Sequence, residues 1–334
     1  MKSAKVTVCI SVHNTAKYLS RCLDSVCAQT LQNLEIILVN NGSTDNSEEI
    51  MKQYASANPE RCFVIISQED RSLAGGRQTG INRATGDYIT FLDADDLVVP
   101  EAYEKMLMCA EREKVDIVEI ETLRDGDIIS SPLTGKQKTH DILRRYLTKG
   151  DIPSMLWLRM YKRDLFKKSV LPTFYTNNED VFAWPCILYA ASSIYYIKEP
   201  FHTYSTDNED GVMHAEKVNS RLADRRMESK RKSLLAFPHL CSYIGEENLG
   251  DYIDDINYYK ANRIFSFLME DFGGKRMKEK VSAVCSTLDF KNRNELNAYL
   301  KRWLPGGRDS IYGIYRMFGI NITYYLLQLR LKNK

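Results

Sequence analysis

Three carboxylates occur within four residues directly after an apolar run. Phe91-Leu92 is followed by Asp93, Asp95 and Asp96. In an extended segment, positions 93 and 95 point the same way. Like charges so placed repel unless a cation or a hydroxyl-rich ligand lies between them. Mg²⁺ or Mn²⁺, with phosphate oxygens completing its shell, suits such a site. The alternative is a solvated acidic turn, with Asp96 capping a helix that begins at Pro100.

Arg77 follows Ala74-Gly75-Gly76, where small residues let the backbone approach a ligand closely. An arginine there can neutralise a diphosphate through a bidentate contact, although pairing with a nearby acid is the commoner fate of a surface arginine. No G-x-G-x-x-G follows the first predicted strand and no P-loop motif occurs in the sequence, so those two nucleotide sites are disfavoured.

Glu179-Asp180 stands before an aromatic-rich segment that reads as a helix. One of these carboxylates could act as a general base toward a hydroxyl nucleophile. The alternative, which the local sequence favours, is an acid at a helix N-terminus that the helix dipole stabilises.

Alternating strand and helix patterns must position these residues. The predicted strands are 6–12, 34–39, 62–67, 88–92 and 115–120, and the predicted helices between them are 15–29, 46–57, 73–84 and 101–114. Such alternation predicts an α/β fold with a mostly parallel sheet, whose ligands bind beyond the carboxyl ends of the strands. Beyond residue 121 the alternation weakens, and from about residue 215 the pattern is helical and highly charged.

Five short motifs in register resemble family 2 glycosyltransferases with the GT-A fold. They are Val6 to Asn14, Glu35 to Asp45, Ala74 to Gly80, Gly86 to Asp96, and Glu179-Asp180-Val181-Phe182. The likeness covers about residues 5–205. It implies a GT-A catalytic domain over residues 1–210, followed by a helical region over 211–334. It also implies a nucleotide-diphosphate sugar donor, usually a UDP-sugar, a divalent metal (Mn²⁺ or Mg²⁺), and transfer that usually inverts the anomeric centre.

The resemblance also implies roles for individual residues. Asp180 matches the general base, Asp95 the metal ligand and Asp93 a contact of the ribose or donor sugar, while Arg77 matches the arginine of its motif. Ser11, His13 and Asn41 fall where the family contacts the nucleotide. His13 replaces a usual Tyr, and Asn41 replaces an Asp that accepts a hydrogen bond from uracil, as an amide oxygen also can. Asp70, Ser72 and Gln78 depart from a usual Asn, Gly and Asn.

Net charge is +2 over 334 residues, which argues against a nucleic-acid-binding protein. Residues 301–334 alone carry seven Lys or Arg and one Asp, a net of +6. Between Arg316 and Arg330 the tail is apolar but too short to span a bilayer, so an in-plane interfacial helix and a helix docked on the protein are equal alternatives. With no signal peptide or spanning segment evident, we expect a cytoplasmic protein, which in the first alternative contacts the inner face of the membrane through this tail.

The resemblance implies a saccharide or lipid-linked acceptor. The process that it implies is the synthesis of a cell-surface polysaccharide. Two other functions stay open: a sugar nucleotidyltransferase, which would want a Gly-rich basic loop after the first strand, and a non-catalytic scaffold, which Asn40-Asn41 in place of two acids would suit. His202 and His214 are candidate late metal ligands, although a packed or surface position is the commoner fate of such histidines. Eight scattered cysteines indicate free thiols in a reducing compartment.

Overall fold

The computed structural model describes residues 5–208, 220–270 and 277–304. By its internal contacts the chain divides into two compact units, residues 1–214 and 215–334. All the candidate site residues within the described ranges belong to the first unit. His214 and the basic tail lie outside the described residues.

The strands of the first unit join one sheet in the order β3-β2-β1-β4-β9-β6-β10-β5, with β7 paired to β6 and β8 to β10. Their bounds are β1 Val6–Val12, β2 Leu34–Asn41, β3 Cys62–Gln68, β4 Tyr88–Asp93, β5 Leu97–Val98, β6 Ile117–Arg124, β7 Asp127–Ile129, β8 Gly135–Lys138, β9 Arg159–Lys162 and β10 Ser193–Thr203.

Among the described residues of the first unit, six α-helices connect or flank these strands: α1 Ala16–Cys27, α2 Ser47–Ala57, α3 Ser72–Arg83, α4 Ala102–Glu113, α5 Thr139–Lys149 and α6 Asp180–Ala190. Short 3₁₀ helices at Leu156–Leu158 and Arg163–Phe166 flank β9. The second unit contains α7 Ser220–Ser233, α8 Ala236–Ile244, α9 Glu246–Leu249, α10 Ile253–Met269, α11 Met277–Leu288 and α12 Arg293–Trp303.

Strands β1 to β4 pair in parallel, as the alternating pattern predicted. Every residue of β2 is buried, which explains its nearly continuous apolar sequence. Helix α1 buries Tyr18, Leu19, Cys22, Leu23 and Val26, the face that helical periodicity indicated. The five strands and four helices predicted up to residue 120 are therefore confirmed to within a few residues at their ends.

Two further long-range pairings change the rest of the sheet. Strand β9 is antiparallel to both β4 and β6 and lies between them. Strand β10 runs parallel to β6, with register irregularities around Pro200. The sequence pattern predicted neither strand, because β9 has four residues and β10 carries the polar interruption Lys198-Glu199-Pro200.

The cysteines are unpaired at all eight positions. Cys9, Cys22, Cys109 and Cys186 are buried, and burial raises the pKa of each of their thiols. These positions act as small apolar residues of the core. Within the described parts of the chain, no helix is long and apolar enough to cross a membrane.

Candidate active site

The parallel register brings the predicted residues to one edge of the sheet. Ser11 near the end of β1 lies opposite Asp93 at the end of β4 and opposite Val39 near the end of β2. Asn41 ends β2. Because carboxyl ends of parallel strands meet at one edge, residues far apart in sequence share one site.

A single guanidinium organises the carboxylates at this edge. Arg77 Nη2 donates to Asp93 Oδ1 at 2.7 Å, and Nη1 donates to Asp180 Oδ1 at 2.9 Å and to Glu179 Oε1. The side chains of Arg77 and Glu179 are only 3% and 1% exposed, whereas those of Asp93 and Asp180 are 27% and 21% exposed. Glu179 is therefore the buried anchor of the arginine, and the two aspartates are the carboxylates that a ligand can reach.

Charge is unbalanced within this cluster of Arg77, Asp93, Glu179 and Asp180. Burial opposes the charge of Arg77, but the three carboxylates outweigh it and its pKa is raised. Burial raises the pKa of Glu179 to about 8 and that of Asp180 above its usual range, although Arg77 opposes both shifts. One cation thus faces three acids, and the cluster retains a proton near neutral pH.

Asp180 is held by a backbone donor as well as by Arg77. It is the first residue of α6, and its Oδ1 accepts a hydrogen bond from the backbone N–H of Leu156 at 3.3 Å. The sequence placed Asp180 at a helix N-terminus in both of its interpretations. The structure brings it together with Arg77 and Asp93, which local sequence alone did not indicate.

Asp95 lies on the turn after β4 and is held by a different segment. Its Oδ2 accepts from Asn208 Nδ2 at 2.6 Å, and its backbone carbonyl accepts from Arg21 Nη2 at 3.2 Å. Burial and the neighbouring Asp93 and Asp96 raise the pKa of Asp95 to about 6. Sequence patterns did not predict the role of Asn208, because no local pattern indicates a contact with a residue so distant in the chain.

Asp96 is turned away from Asp95 into the protein. It is buried, its Oδ1 accepts from the Ser205 backbone N–H at 2.8 Å, and its Oδ2 lies 3.2 Å from His202 Nε2. It does not cap α4, whose N-cap is Glu101. The alternative, a solvated acidic turn in which Asp96 caps the following helix, is therefore wrong for this residue.

His202 is buried, and its ring stacks on Trp157 with centroids 4.3 Å apart. Its Nδ1 lies 2.7 Å from Thr122 Oγ1. Burial raises the pKa of Asp96 and lowers that of His202, so burial disfavours the charged forms of both groups. Both ring nitrogens face protein groups, which is the packed position that the sequence favoured over a metal ligand.

Ser11 lies near the end of β1 and His13 directly follows that strand, beside the end of β2. Gly76 on α3 packs so closely that a Cβ there would lie 2.1 Å from Ser11 Oγ and 3.5 Å from Asn41 Cγ. His13 is exposed, and its Nδ1 donates to the backbone carbonyl of Asn41 at 2.8 Å. Its Nε2 accepts from Asn14 Nδ2 at 3.4 Å, so both ring nitrogens have protein partners while the exposed ring can stack on a ligand.

Asn41 is buried and uses its amide within the protein. Its Nδ2 donates to the Ser72 carbonyl at 2.9 Å, and its Oδ1 accepts from Gln68 Nε2 at 2.7 Å and from the Arg71 backbone N–H at 3.1 Å. Asn41 therefore orients the segment that leads into α3. Its predicted hydrogen bond to a nucleobase stays a prediction and requires an exchange of one of these partners.

Ser72 begins α3 with φ +64°, the left-handed region that glycine favours. Its Oγ accepts from the backbone N–H of Thr176 at 3.1 Å, and Tyr175 donates to Asp70 Oδ2 at 2.9 Å. Ser72 and Asp70, two departures from the family pattern, therefore join the segment before α3 to the segment before α6.

The donor chemistry at this edge suits a hard cation that takes most of its ligands from phosphate. Asp95 offers a half-buried carboxylate, and Mg²⁺ in proteins is commonly held by one or two carboxylates plus substrate phosphates. Asp93 is engaged by Arg77 and Asp96 by His202. Over the described residues, no group of three or more His, Cys, Asp or Glu is arranged to hold a metal by itself.

Asp93 at the end of β4 and Asp180 at the start of α6 lie at the sheet edge where open α/β sheets bind their ligands. The family described as Glycosyl transferase family 2 matches residues 7–169. Residues 7–169 are therefore a glycosyltransferase family 2 domain, and the protein is a glycosyltransferase.

EpsH of Bacillus subtilis (strain 168), which is named a glycosyltransferase, is 27% identical over 313 residues, 87% of this chain and 86% of its own. TarS residues 1–349 of S. aureus, solved with UDP-GlcNAc, superpose with a TM-score of 0.70 at 15% identity over 99% of this chain and 92% of that one. The mannosyltransferase PcManGT of Pyrobaculum calidifontis, solved with GDP-Man and Mn²⁺, gives a TM-score of 0.50 at 15% identity, with 95% and 88% covered. These likenesses confirm the predicted GT-A fold.

Proposed function

We propose that this glycosyltransferase moves a sugar from a nucleotide-diphosphate sugar to a hydroxyl group of a saccharide or lipid-linked acceptor, with inversion at the anomeric carbon. A UDP-sugar is the first candidate donor, since TarS was solved with UDP-GlcNAc. The observation that carries the proposal is the shared guanidinium of Arg77, which binds both Asp93 and Asp180 while leaving each partly exposed.

Asp180 acts in this proposal as the general base. The acceptor hydroxyl donates its proton to an Asp180 oxygen as the acceptor oxygen attacks the anomeric carbon, and the nucleotide diphosphate leaves with the electrons of the broken bond. The raised pKa of Asp180 makes it a stronger base than an ordinary aspartate. Arg77 holds this carboxylate beside Asp93, which contacts the ribose or the donor sugar.

Asp95 would hold a divalent metal, Mn²⁺ or Mg²⁺, together with the donor phosphates. When bound, such an ion supplies positive charge for the departing diphosphate. Asp95 Oδ2 accepts one hydrogen bond, from Asn208, and a carboxylate oxygen has a second lone pair that could serve the ion. Ser11 and the open face of His13 contact the nucleotide base in this proposal, and Asn41 acts by orienting the Gln68–Ser72 segment. Three of the five N–H donors of Arg77 bind the acids, so Arg77 would contact the diphosphate through the other two.

We also propose a catalytic domain over residues 1–210 and a helical region over 211–334 whose basic tail binds anionic lipid at the inner face of the cell membrane. Support comes from the net charge of +6 over residues 301–334. Flotation with anionic vesicles, comparing the full chain with a version that ends near residue 305, tests this contact. Equal binding by both versions would contradict it. Surface-polysaccharide synthesis is the process in which a lipid-linked acceptor would be used.

Thermal denaturation with UDP-Glc, UDP-GlcNAc, UDP-Gal and GDP-Man, each with and without Mn²⁺, tests the donor. We expect one nucleotide to raise Tm only when Mn²⁺ is present, because a ligand that binds the folded state stabilises it. Asp95→Ala should abolish that metal-dependent shift, while the exposed Asp127→Ala retains it. No shift and no nucleotide release with any of these donors would contradict the proposed function.

A further inference from the structure

We propose that Arg159 is a positioning residue for Asp180, acting through the turn at residues 153–156, which precedes β9. The inference rests on the proposed role of Asp180 as the base. Arg159 begins β9, is fully buried, and touches neither Arg77 nor Asp93 in any recorded hydrogen bond or ion pair of the described residues.

The guanidinium of Arg159 binds the turn at two carbonyls. Nη1 donates to the Met155 carbonyl at 2.7 Å and Nη2 donates to the Pro153 carbonyl at 2.5 Å. Nε donates to Glu119 Oε2 on β6 at 2.6 Å. A planar guanidinium with donors in three directions therefore fixes the turn against the centre of the sheet.

Tyr161 holds the same turn from the next position on that face of β9. Its hydroxyl donates to the Leu156 carbonyl at 3.0 Å, and its side chain is also fully buried. With the carbonyls of Pro153, Met155 and Leu156 all held, the Leu156 N–H is aimed at Asp180 Oδ1 at 3.3 Å. This backbone donor is the contact of Asp180 that Arg77 does not supply.

Arg159 also reaches Asp180 from the helix side. Its guanidinium carbon lies 3.5 Å from the centroid of the Trp184 ring, and Trp184 lies on α6 one turn after Asp180. Trp184 is fully buried, so its ring fixes where α6 packs. One guanidinium therefore contacts both the turn that donates to Asp180 and the helix that carries it.

Stability alone does not explain a charged pair at this depth. Arg159 and Glu119 are 0% and 2% exposed, and removing two charges from water offsets much of their attraction. An apolar pair of similar volume would often stabilise a fold as well, but it could not bind two carbonyls in fixed directions. The geometry points to a role in placing the turn.

Arg159→Lys tests the inference, because lysine keeps the charge but cannot reach three acceptors in the arginine geometry. Arg61→Lys is the matched control. Arg61 directly precedes β3, at the end of the parallel strands opposite to the site. It donates to the carbonyls of Cys27, Gln29 and Leu31. Both variants lose carbonyl contacts, so both should lower Tm, but only Arg159→Lys should disturb Asp180.

The measurements are kcat and KM for release of UDP from the UDP-sugar that gives the largest thermal shift, the Kd of UDP with Mn²⁺, and amide hydrogen exchange over residues 153–158 and 180–184. For Arg159→Lys we expect kcat to fall about 10- to 100-fold, since small misplacements of a reacting group cost that much. The donor KM and the Kd of UDP should change by less than about 2-fold, because the variant disturbs the base and not the donor site. Exchange should rise over both segments. Tyr161→Phe should shift kcat and exchange in the same direction by less.

Overturning results are distinct from failure of the proposed function. Arg159→Lys that turns over as fast as Arg61→Lys, at equal folded fraction, would overturn the inference. So would unchanged exchange over 153–158 and 180–184 in Arg159→Lys, and this second result does not depend on turnover. If Arg159→Lys does not fold, Tyr161→Phe carries both measurements. Absence of turnover in the wild type with every donor would count against the proposed function, and the exchange measurement would still decide the role of Arg159.

Discussion

Asp93 and Asp180 bind the same guanidinium, although Asp93 ends a strand and Asp180 begins a helix. Arg77 Nη2 takes Asp93 at 2.7 Å and Nη1 takes Asp180 at 2.9 Å. The separation of the donor-side carboxylate from the proposed base is therefore set by the width of one rigid, planar group. Buried Glu179 fixes that group in turn.

Removing Arg77 should destabilise the first unit. Arg77→Met removes the cation and hydrogen-bond donor shared by Asp93, Glu179 and Asp180. We expect a loss of about 3 kcal/mol in the free energy of unfolding, because the remaining carboxylates repel one another and a buried acceptor is left unsatisfied. Denaturation by urea measures this loss. Arg83→Met, an exposed position of the same helix, should stay within about 0.5 kcal/mol of the wild type. A loss below about 1 kcal/mol for Arg77→Met would contradict the anchoring role of the pair.

Glu179 should make stability fall as pH rises. Its pKa is about 8 in the folded protein against an ordinary value of 4.5, so the folded state holds a proton that the unfolded state releases. This contribution is present below about pH 4.5 and is lost as pH rises toward 8. Glu179→Gln removes the titrating group, and the free energy of unfolding of the variant should fall less than that of the wild type across this window. Parallel pH curves would show that Glu179 ionises normally.

Gly76 should tolerate no side chain while Ser11 is present. A Cβ at Gly76 would lie 2.1 Å from Ser11 Oγ, so Gly76→Ala should cost about 1–3 kcal/mol by overpacking. Ser11→Gly in the same chain should recover part of this loss, because it removes the nearest atoms. Gly250→Ala meets no atom within 4 Å and serves as the control. A double-mutant cycle by urea denaturation gives the coupling, and additive effects would contradict the contact.

The Ser72→Gly variant should have a larger free energy of unfolding than the Ser72→Ala variant. Its φ of +64° costs a residue with a side chain about 1–2 kcal/mol. Its hydroxyl offsets some of this cost by accepting from the Thr176 N–H. Ser72→Ala keeps the strain and loses the hydrogen bond, whereas Ser72→Gly loses only the hydrogen bond. Equal unfolding free energies for the two variants would contradict a strained backbone at this position.

Sequence predicted well those features that depend on neighbouring residues. Apolar periodicity predicted strands β1 to β4 and their helices. Short motifs at the ends of predicted elements indicated Asp93, Asp95 and Asp180 as candidate site residues. Contacts made between distant segments left no such pattern. The hydrogen bond of Asn208 to Asp95, the pair of Asp96 with His202, and the contact of Arg159 with Met155 depend on the segment after β10, on β10 and on β9, respectively. Both strands have mixed polar sequences that predicted no strand.

Asp180→Asn tests the central claim most directly. Asparagine keeps an oxygen to accept from Arg77 and Leu156 but is not a base, so the donor site should survive. We expect UDP with Mn²⁺ to bind the variant with a Kd within about 2-fold of the wild type by calorimetric titration, and turnover of the UDP-sugar to fall by about 100-fold or more. Transfer by Asp180→Asn at a rate near that of the wild type would contradict Asp180 as the base.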